Sequence, residues 1–464
     1  MKTIAGVGTL LVGMTMLAFG ADPEERLLDL EKRYEALEQK YKILERKAEL
    51  QEEAAAEKAK TATSVSAGAS GFTIRSADTN FVLRLRGYAQ ADARFYPDDF
   101  SGGTANDTFL LRRVRPILEG TLFEKYDYRV MLDFGSGASA SAANNGFLQD
   151  AYVNARLWPQ FQIQVGKFKE PVGLERLQSG ANLLFIERGH PTQLVPNRDA
   201  GIQLHGEVLG GTLSYAAGIF NGVANGGSGD FETADDDKDV AGRIFAHPFK
   251  NTDIEPLKGL GVGVAGTIGD QEGALRTFAS PGQQRFFGYR TGVGTNAGTA
   301  NFVADGEHWR IAPQAYYYWG PLGLFGEYVI SDQRVRRNEP AATFGRIRNT
   351  AWQVAASYIL TGEENSWKAL TPRRSFNPGA GTWGAWEIAA RFGQLDVDND
   401  AFPLFANPDT SATKATSWGA GVNWHLNRNV KLNLDYEQTD FTGGTAPFLV
   451  NGEKVVLARV QVAW

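Results

Sequence analysis

From about residue 80 to Trp464 the chain alternates apolar and polar residues in short segments, with glycine, proline, asparagine and aspartate between them. A period of two is the mark of a strand with two unlike faces. Near residue 80, Phe81, Leu83, Leu85, Gly87 and Ala89 alternate with Val82, Arg84, Arg86, Tyr88, Gln90, Asp92 and Arg94. Further on, Tyr126, Tyr128, Val130, Leu132 and Phe134 oppose Asp127, Arg129, Met131 and Asp133. The C-terminal segments set Val430, Leu432, Leu434 and Tyr436 against Lys431, Asn433, Asp435 and Glu437, then Val456, Ala458, Val460, Val462 and Trp464 against Leu457, Arg459 and Gln461. In "FLLRRVRPILEG", 109–120, one register reads Leu110, Arg112, Val114, Pro116, Leu118, Gly120; the other reads Leu111, Arg113, Arg115, Ile117, Glu119. The second register carries charge where a soluble sandwich needs core.

Upstream the period changes. Leu27, Tyr34, Tyr41 and Ala48 occupy heptad position a, and Leu30, Leu37, Leu44 and Gln51 position d, among Glu, Lys and Arg. This predicts a helix over 21–53 in the periplasm, either a coiled coil or a single amphipathic helix lying on its own protein. Residues 54–71, "AAAEKAKTATSVSAGASG", read as a small, polar linker. Residues 1–20 combine Lys2, an apolar run from Ile4 to Phe19 and a small-residue cleavage site after Gly20, which predicts a signal peptide.

Strands greasy on one face and charged on the other fit a closed barrel with lipid outside and water inside. Closure also pairs every backbone N–H and C=O, which lipid cannot do. About sixteen such segments lie between residues 80 and 464, within the range of aqueous transmembrane barrels. The expected fold is an all-β transmembrane barrel of antiparallel strands over 72–464, preceded by the helix. Trp158, Trp319, Trp352, Trp424 and Tyr436 suit interfacial girdles.

Composition narrows this. The chain has no cysteine, which excludes disulfides, thiolate metal sites and a cysteine nucleophile. A net charge of -6 gives no bulk attraction to nucleic acid. Mean hydropathy of -0.29 argues against a helical membrane protein. "GVGVAG", 261–266, matches a dinucleotide fingerprint but opens no helix. The five histidines lack metal-ligand spacing, and no Ser/His/Asp constellation stands out; neither an enzymatic activity nor a cofactor is expected. "DFETADDDKD", 230–239, reads as a solvated loop, and "DVDND", 396–400, lacks the glycine and distal glutamate of a calcium loop.

The charged register is rich in arginine: Arg84, Arg86, Arg94, Arg113, Arg115, Arg129, Arg156, Arg310, Arg391 and Arg459. Arginine keeps its charge at all physiological pH values and presents a planar fork of donors matched to oxyanions. These ten are the candidate pore-lining, anion-binding residues. Asp92, Glu119, Asp127, Asp133, Asp150, Glu387, Asp435 and Glu437 share the register and could neutralise them instead, and both outcomes stay open at this point.

Several stretches in order, "LRRVRPILEGTLFEKYDYRVMLDF", "LQDAYVNARLWPQFQIQVGKFKEPVGLERLQS", "SYILTGE", "GAWEIAARFGQLDV" and "GVNWHLNRNVKLNLDYEQTDF", resemble the phosphate-selective porins O and P of Gram-negative outer membranes, over roughly residues 80–464. The resemblance implies a sixteen-stranded homotrimeric barrel in outer-membrane lipid, with one loop folded inward to narrow the pore. It also implies passive passage of small inorganic anions such as phosphate, with lysines at the constriction binding them. The expected constriction segment is 168–199, with Lys167 and Lys169 beside it and Arg176, Arg188 and Arg198 within it. Trp464 stands where the family usually ends in phenylalanine. The alternative expectation is a weakly selective porin whose coiled coil tethers the outer membrane to the cell wall or to a periplasmic protein.

Overall fold

The computed structural model describes residues 23–68, 71–97, 106–135, 147–230, 236–290, 302–338 and 341–464. The expected signal peptide, 1–20, lies outside them. The chain divides into two units, Met1–Thr63 and Ser64–Trp464.

In the first unit one helix, α1, runs Pro23–Thr61. It continues through 54–61, a stretch expected to be linker. Alanine, glutamate and lysine are strong helix formers, so small and polar did not mean non-helical there. The remainder of that segment carries strand β1 (Ser64–Gly68), which pairs antiparallel with β2 (Gly71–Arg75). The helix begins with Glu24 and Glu25, which suit the positive end of its dipole.

The second unit is an antiparallel barrel of sixteen strands, carrying the β1–β2 hairpin on one edge. Its first strands are β3 (Phe81–Phe95), β4 (Thr108–Leu122), β5 (Tyr126–Leu132), β6 (Leu148–Trp158) and β7 (Phe161–Lys169). They continue as β8 (Arg198–Val208), β9 (Leu213–Phe220), β10 (Asp239–Ala246) and β11 (Leu260–Ala274). A small hairpin, β12 (Phe278–Ala279) and β13 (Arg285–Phe287), stands in the connection to the next wall strand. Then come β14 (Phe302–Trp319), β15 (Leu322–Arg337), β16 (Thr343–Ile359), β17 (Ala385–Asp396), β18 (Lys414–His425), β19 (Val430–Thr442) and β20 (Glu453–Ala463). Pairing of β20 with β3, from Val456↔Phe95 to Ala463↔Tyr88, closes the barrel. The same edge of β3 is taken nearer its start by β2, from Phe72↔Leu85 to Arg75↔Val82.

The alternation sorts as its chemistry requires. On β3, Gln90, Asp92 and Arg94 are buried while Phe81, Leu85 and Phe95 are exposed. On β16, Asn349, Gln353 and Ala355 are buried while Phe344, Val354 and Tyr358 are exposed. The exposed set is the lipid face; the buried set is covered from within.

Strand β4 departs from the expected register. Gln90 pairs with Arg113 and Ala91 with Leu111, so Arg112 is the extra residue of a β-bulge. Leu111, expected on the inner register, is 55% exposed and faces outward. Arg112, expected on the other, reaches the inner carboxylate of Glu187. One inserted residue reverses the face of every residue on one side of it.

The interior is not all aqueous. Towards the ends of the strands joined by long connections, inward-facing Val335, Ile347, Ala351 and Leu395 pack with Phe278, Phe286 and Phe287 from the β12–β13 region and with Val172, Leu194 and Val195. Asp239, expected in a solvated loop, is fully buried as the first residue of β10 and pairs with Arg310 at 3.4 Å. A charge so placed belongs to the wall.

Val354 lies mid-height on the outward face. Replacing it with arginine should cost about 2–4 kcal/mol, the penalty for a cation at the bilayer midplane. Reversible urea unfolding in lipid vesicles reads this directly.

Candidate pore constriction

Segment 170–197 leaves β7, crosses the barrel interior and returns to β8. A loop inside a polar channel must satisfy its backbone groups, and the inward residues of the wall do so strand by strand. Glu327 of β15 accepts from the N–H groups of Leu174 and Glu175, at 2.6 and 3.2 Å, fixing a short turn, α2 (Leu174–Leu177). Gln90 of β3 donates to the Gly180 carbonyl at 2.8 Å, and Gln461 of β20 to that of Ala181 at 3.0 Å. Lys431 of β19 donates to Leu183 at 3.1 Å, and Asn423 of β18 to Leu184 at 2.9 Å. Asp435 accepts from Ile186 N–H at 2.6 Å, and Arg459 donates to the Ile186 carbonyl at 2.9 Å. Arg391 of β17 donates to the Glu187 carbonyl at 2.9 Å. Residue 189 is glycine at a close approach: a Cβ there would stand 1.8 Å from the Gln353 amide oxygen of β16, so any side chain would displace that amide.

Glu187 is the loop's main anchor. Arg112 grips it with two parallel bonds, Nε to Oε1 at 2.5 Å and Nη2 to Oε2 at 3.0 Å. Arg94, Arg113 and Arg459 approach the same carboxylate at 3.3, 3.7 and 3.8 Å. Although burial works against its charge, Arg112 and Arg113 hold this carboxyl well below the usual carboxylate range. Charge-assisted, bidentate contacts of this kind are the strong ones.

The expected lumen arginines are therefore mostly engaged. Arg459 forms a two-bond pair with Asp92, both at 2.7 Å. Arg115 pairs with Asp133 at 2.7 Å, Arg86 with Glu119 at 3.0 Å, and Arg156 with Asp127 at 2.6 Å. Arg129 lies 3.1 Å from both Glu119 and Asp150. Arg391 pairs with Glu437 and lies 3.7 Å from Glu175. Arg310 is sealed beneath Asn225 and Asp239, with no exposure of its side chain. Of the ten, Arg84 alone has no carboxylate partner among the described residues.

Of the five residues expected at the constriction, Lys167 pairs with Asp230, beyond the loop. The other four gather at the loop's root and turn. Lys169 Nζ donates to the carbonyls of Leu177 and Gln178, at 3.2 and 2.8 Å. Arg188 donates to the carbonyls of Glu175 and Gln178, at 3.1 and 2.8 Å. Arg176 donates to the Thr192 carbonyl. Arg198 pairs with Asp150 at 2.7 Å. Burial first, then Arg188 and Arg198, push the Arg176 guanidinium below its ordinary value; burial also lowers Arg188, opposed by Glu175 and assisted by Arg115.

Beside Lys169 and Arg198 lies a chamber of about 700 Å³ against the wall of β3–β10, lined also by Tyr88, Arg115, Arg129, Asp150, Gln203 and Arg243. Apart from Arg112 of β4 and Lys169 of β7, the wall residues bonded to the loop stand on β3 and β15–β20. The larger open space therefore lies on the β4–β10 side, and a smaller one of about 360 Å³ lies between the loop and β14–β20. From the short-turn end a second segment, 360–384, enters the interior. Its Trp367 stacks on Tyr316 at 5.5 Å and meets Phe325 edge-on, and its carbonyl accepts from Gln178 at 3.3 Å. Sequence reading missed Trp367, because a long connection in a run of short turns gives no periodic signal. It also missed Glu187 and Glu327; their signal was an acid within or opposite an arginine-rich segment.

Glu187→Gln leaves several buried arginines without their shared charge. The loss should be about 3–5 kcal/mol of local stability, seen as faster proteolysis within 170–197 and noisier single-channel current, with the barrel still folded.

Comparison with known proteins agrees with this architecture. The family model described as phosphate-selective porin O and P matches residues 83–464. Porin O of Pseudomonas aeruginosa is 24% identical over 390 residues, spanning 79% of this chain and 84% of that protein. Among solved structures, the outer membrane channel DcaP of Acinetobacter baumannii aligns over 83% of this chain and 98% of its own, with 11% identity and a TM-score of 0.49. An anion-selective porin from Comamonas acidovorans aligns over 82% and 99%, with 12% identity and a TM-score of 0.46. With the family model spanning nearly the whole barrel, the chain belongs to the phosphate-selective porin O and P family of outer-membrane porins.

Proposed function

We propose that this porin passes small anions, with phosphate as the preferred oxyanion, along the β4–β10 side of the constriction loop. The observation that carries the reading is the group Lys169, Arg176, Arg188 and Arg198. Four cations share three nearby carboxylates, Asp150, Glu175 and Glu327, and three of them are otherwise held by loop carbonyls. Carbonyl oxygens orient a cation without cancelling its charge. The field at the loop's edge is therefore positive where the lumen wall elsewhere is close to neutral, and pore selectivity follows from wall charge at a narrow point. The family description supplies phosphate as the oxyanion.

In a planar bilayer under a KCl gradient, the reversal potential should report anion preference, and added phosphate should reduce the chloride current. The double variant Lys169→Gln with Arg188→Gln should lower the anion-to-cation permeability ratio several-fold. A wild-type ratio near one would reject the proposal.

Helix α1 supports a second role. Leu27, Leu30, Tyr34, Leu37, Tyr41 and Leu44 are all 64–70% exposed, an unburied apolar stripe at heptad spacing. Three copies of the chain would bury these stripes as a periplasmic coiled coil that holds the trimer and tethers the envelope. Deleting 23–60 should weaken trimer stability and envelope attachment while conductance stays unchanged; intact attachment would remove the tether.

A further inference from the structure

We propose that the outward face of β15 and β16, at the long-connection end of the barrel, binds the phosphate groups of a phosphorylated glycolipid in the outer leaflet. The face is set by register. On β16, Ile347, Asn349 and Ala351 are at most 2% exposed, whereas Phe344 and Val354 are each 54% exposed. Arg346 and Arg348 belong to the second set, with side chains 48% and 59% exposed. They are charges on the lipid side of the wall, not in the lumen.

Their height is that of headgroups. From Arg348 to Tyr358 on the same face is about 33 Å along the strand, or about 25 Å of height at the usual tilt, the thickness of the apolar band of such barrels. Thr350, Trp352, Val354 and Ala356 fill the interval. Trp319, Tyr358, Trp386 and Trp424 mark the opposite interface, where turns are short, so the arginines stand at the extracellular one. A cation there costs only about 0–1 kcal/mol, against 2–4 at the midplane.

The charges ask for an anion. Arg334 of β15 lies directly opposite Arg346 of β16, and like charges so placed repel. Arg334 has no carboxylate within ion-pair distance among the described residues; its guanidinium lies 5.4 Å from the Phe344 ring centre. Arg346 and Arg348 share one carboxylate, Asp332; Arg346 also meets Glu307, and Asp398 accepts from the backbone N–H of Arg348 at 2.7 Å. Arg348 engages Asp332 through Nε, at 2.8 Å, which leaves its terminal nitrogens for another acceptor. A phosphate between Arg334 and Arg346 relieves the repulsion and takes bidentate bonds. The arrangement is local: on β3 and β4 at the same end, the outward residues are Phe95, Phe109 and Leu111.

The test uses the full chain, exchanged into mild detergent with a bisphosphorylated glucosamine-disaccharide lipid or with its phosphatase-treated form, and retained lipid is counted by native mass spectrometry. The wild type should retain the phosphorylated form several-fold better. The triple variant R334Q/R346Q/R348Q should lose that preference with single-channel conductance unchanged, since none of the three faces the lumen. Should the triple variant fail to fold, R334Q alone keeps every ion pair and should still halve retention or better. Equal retention of the two lipids, or a variant that retains lipid as the wild type does, overturns the proposal. Full displacement by millimolar inorganic phosphate also overturns it, because the site would then be a free-phosphate site.

Discussion

The backbone of segment 170–197 has to be satisfied inside a tube, and much of the structure follows from that. A chain crossing a channel has neither a helix ladder nor a sheet ladder to use. Each unpaired, dehydrated N–H or C=O would cost about 1–3 kcal/mol. The inward registers of β3 and β15–β20 answer with a matched set of side chains: amides and cations at loop carbonyls, and carboxylates at loop N–H groups. These polar residues are thus core residues of an unusual kind. They fix the loop's path as firmly as packed leucines fix a helix.

That use of the wall decides where solute can go. Arginines on β3, β4, β17 and β20 are drawn towards Glu187, Asp92 and Glu437, and the far half of the mouth is filled by an aromatic and aliphatic cluster. Open volume remains beside β3–β10, where Lys169 and Arg198 at the two roots of the loop line it. A stripe of arginines along a lumen therefore need not be a stripe of anion sites. The test is what else each guanidinium touches. A carboxylate removes its field at a distance, whereas a carbonyl leaves most of it in place.

The sequence made the barrel legible because lipid and lumen impose opposite demands on alternate residues, and that demand repeats in every strand. It also made the inward loop legible as a break in the alternation. What it hid were features set by single residues or by distant pairs. The bulge at Arg112 leaves no compositional trace, yet it turns Leu111 to lipid and adds a second arginine of β4 to the cluster on Glu187. Glu187 reads as an ordinary loop acid until residues 74 to 272 positions away converge on it. Asp239 looked solvated because its neighbours in sequence are acidic, while its partner in space is Arg310. Residues 54–61 show the opposite error: composition alone suggested a linker where helix propensity favoured continuation.

The two faces of the wall use arginine in opposite ways, and the difference follows from the medium. Inside, a buried guanidinium must be paired, since an isolated charge in a water-poor interior is expensive. The wall and loop therefore carry acids placed to meet it, and the result is rigidity. Outside, at the interface, hydration and headgroups supply part of the compensation, so Arg334 can stand without a carboxylate of its own. On the function proposed above, selectivity would depend on neither population but on the few cations in between: residues at the loop's root and turn that are buried enough to be held and are bonded mainly to carbonyls. Lys169 and Arg188, meeting on the Gln178 carbonyl, occupy that middle condition, and Lys169 faces the chamber beside the loop's less fastened edge.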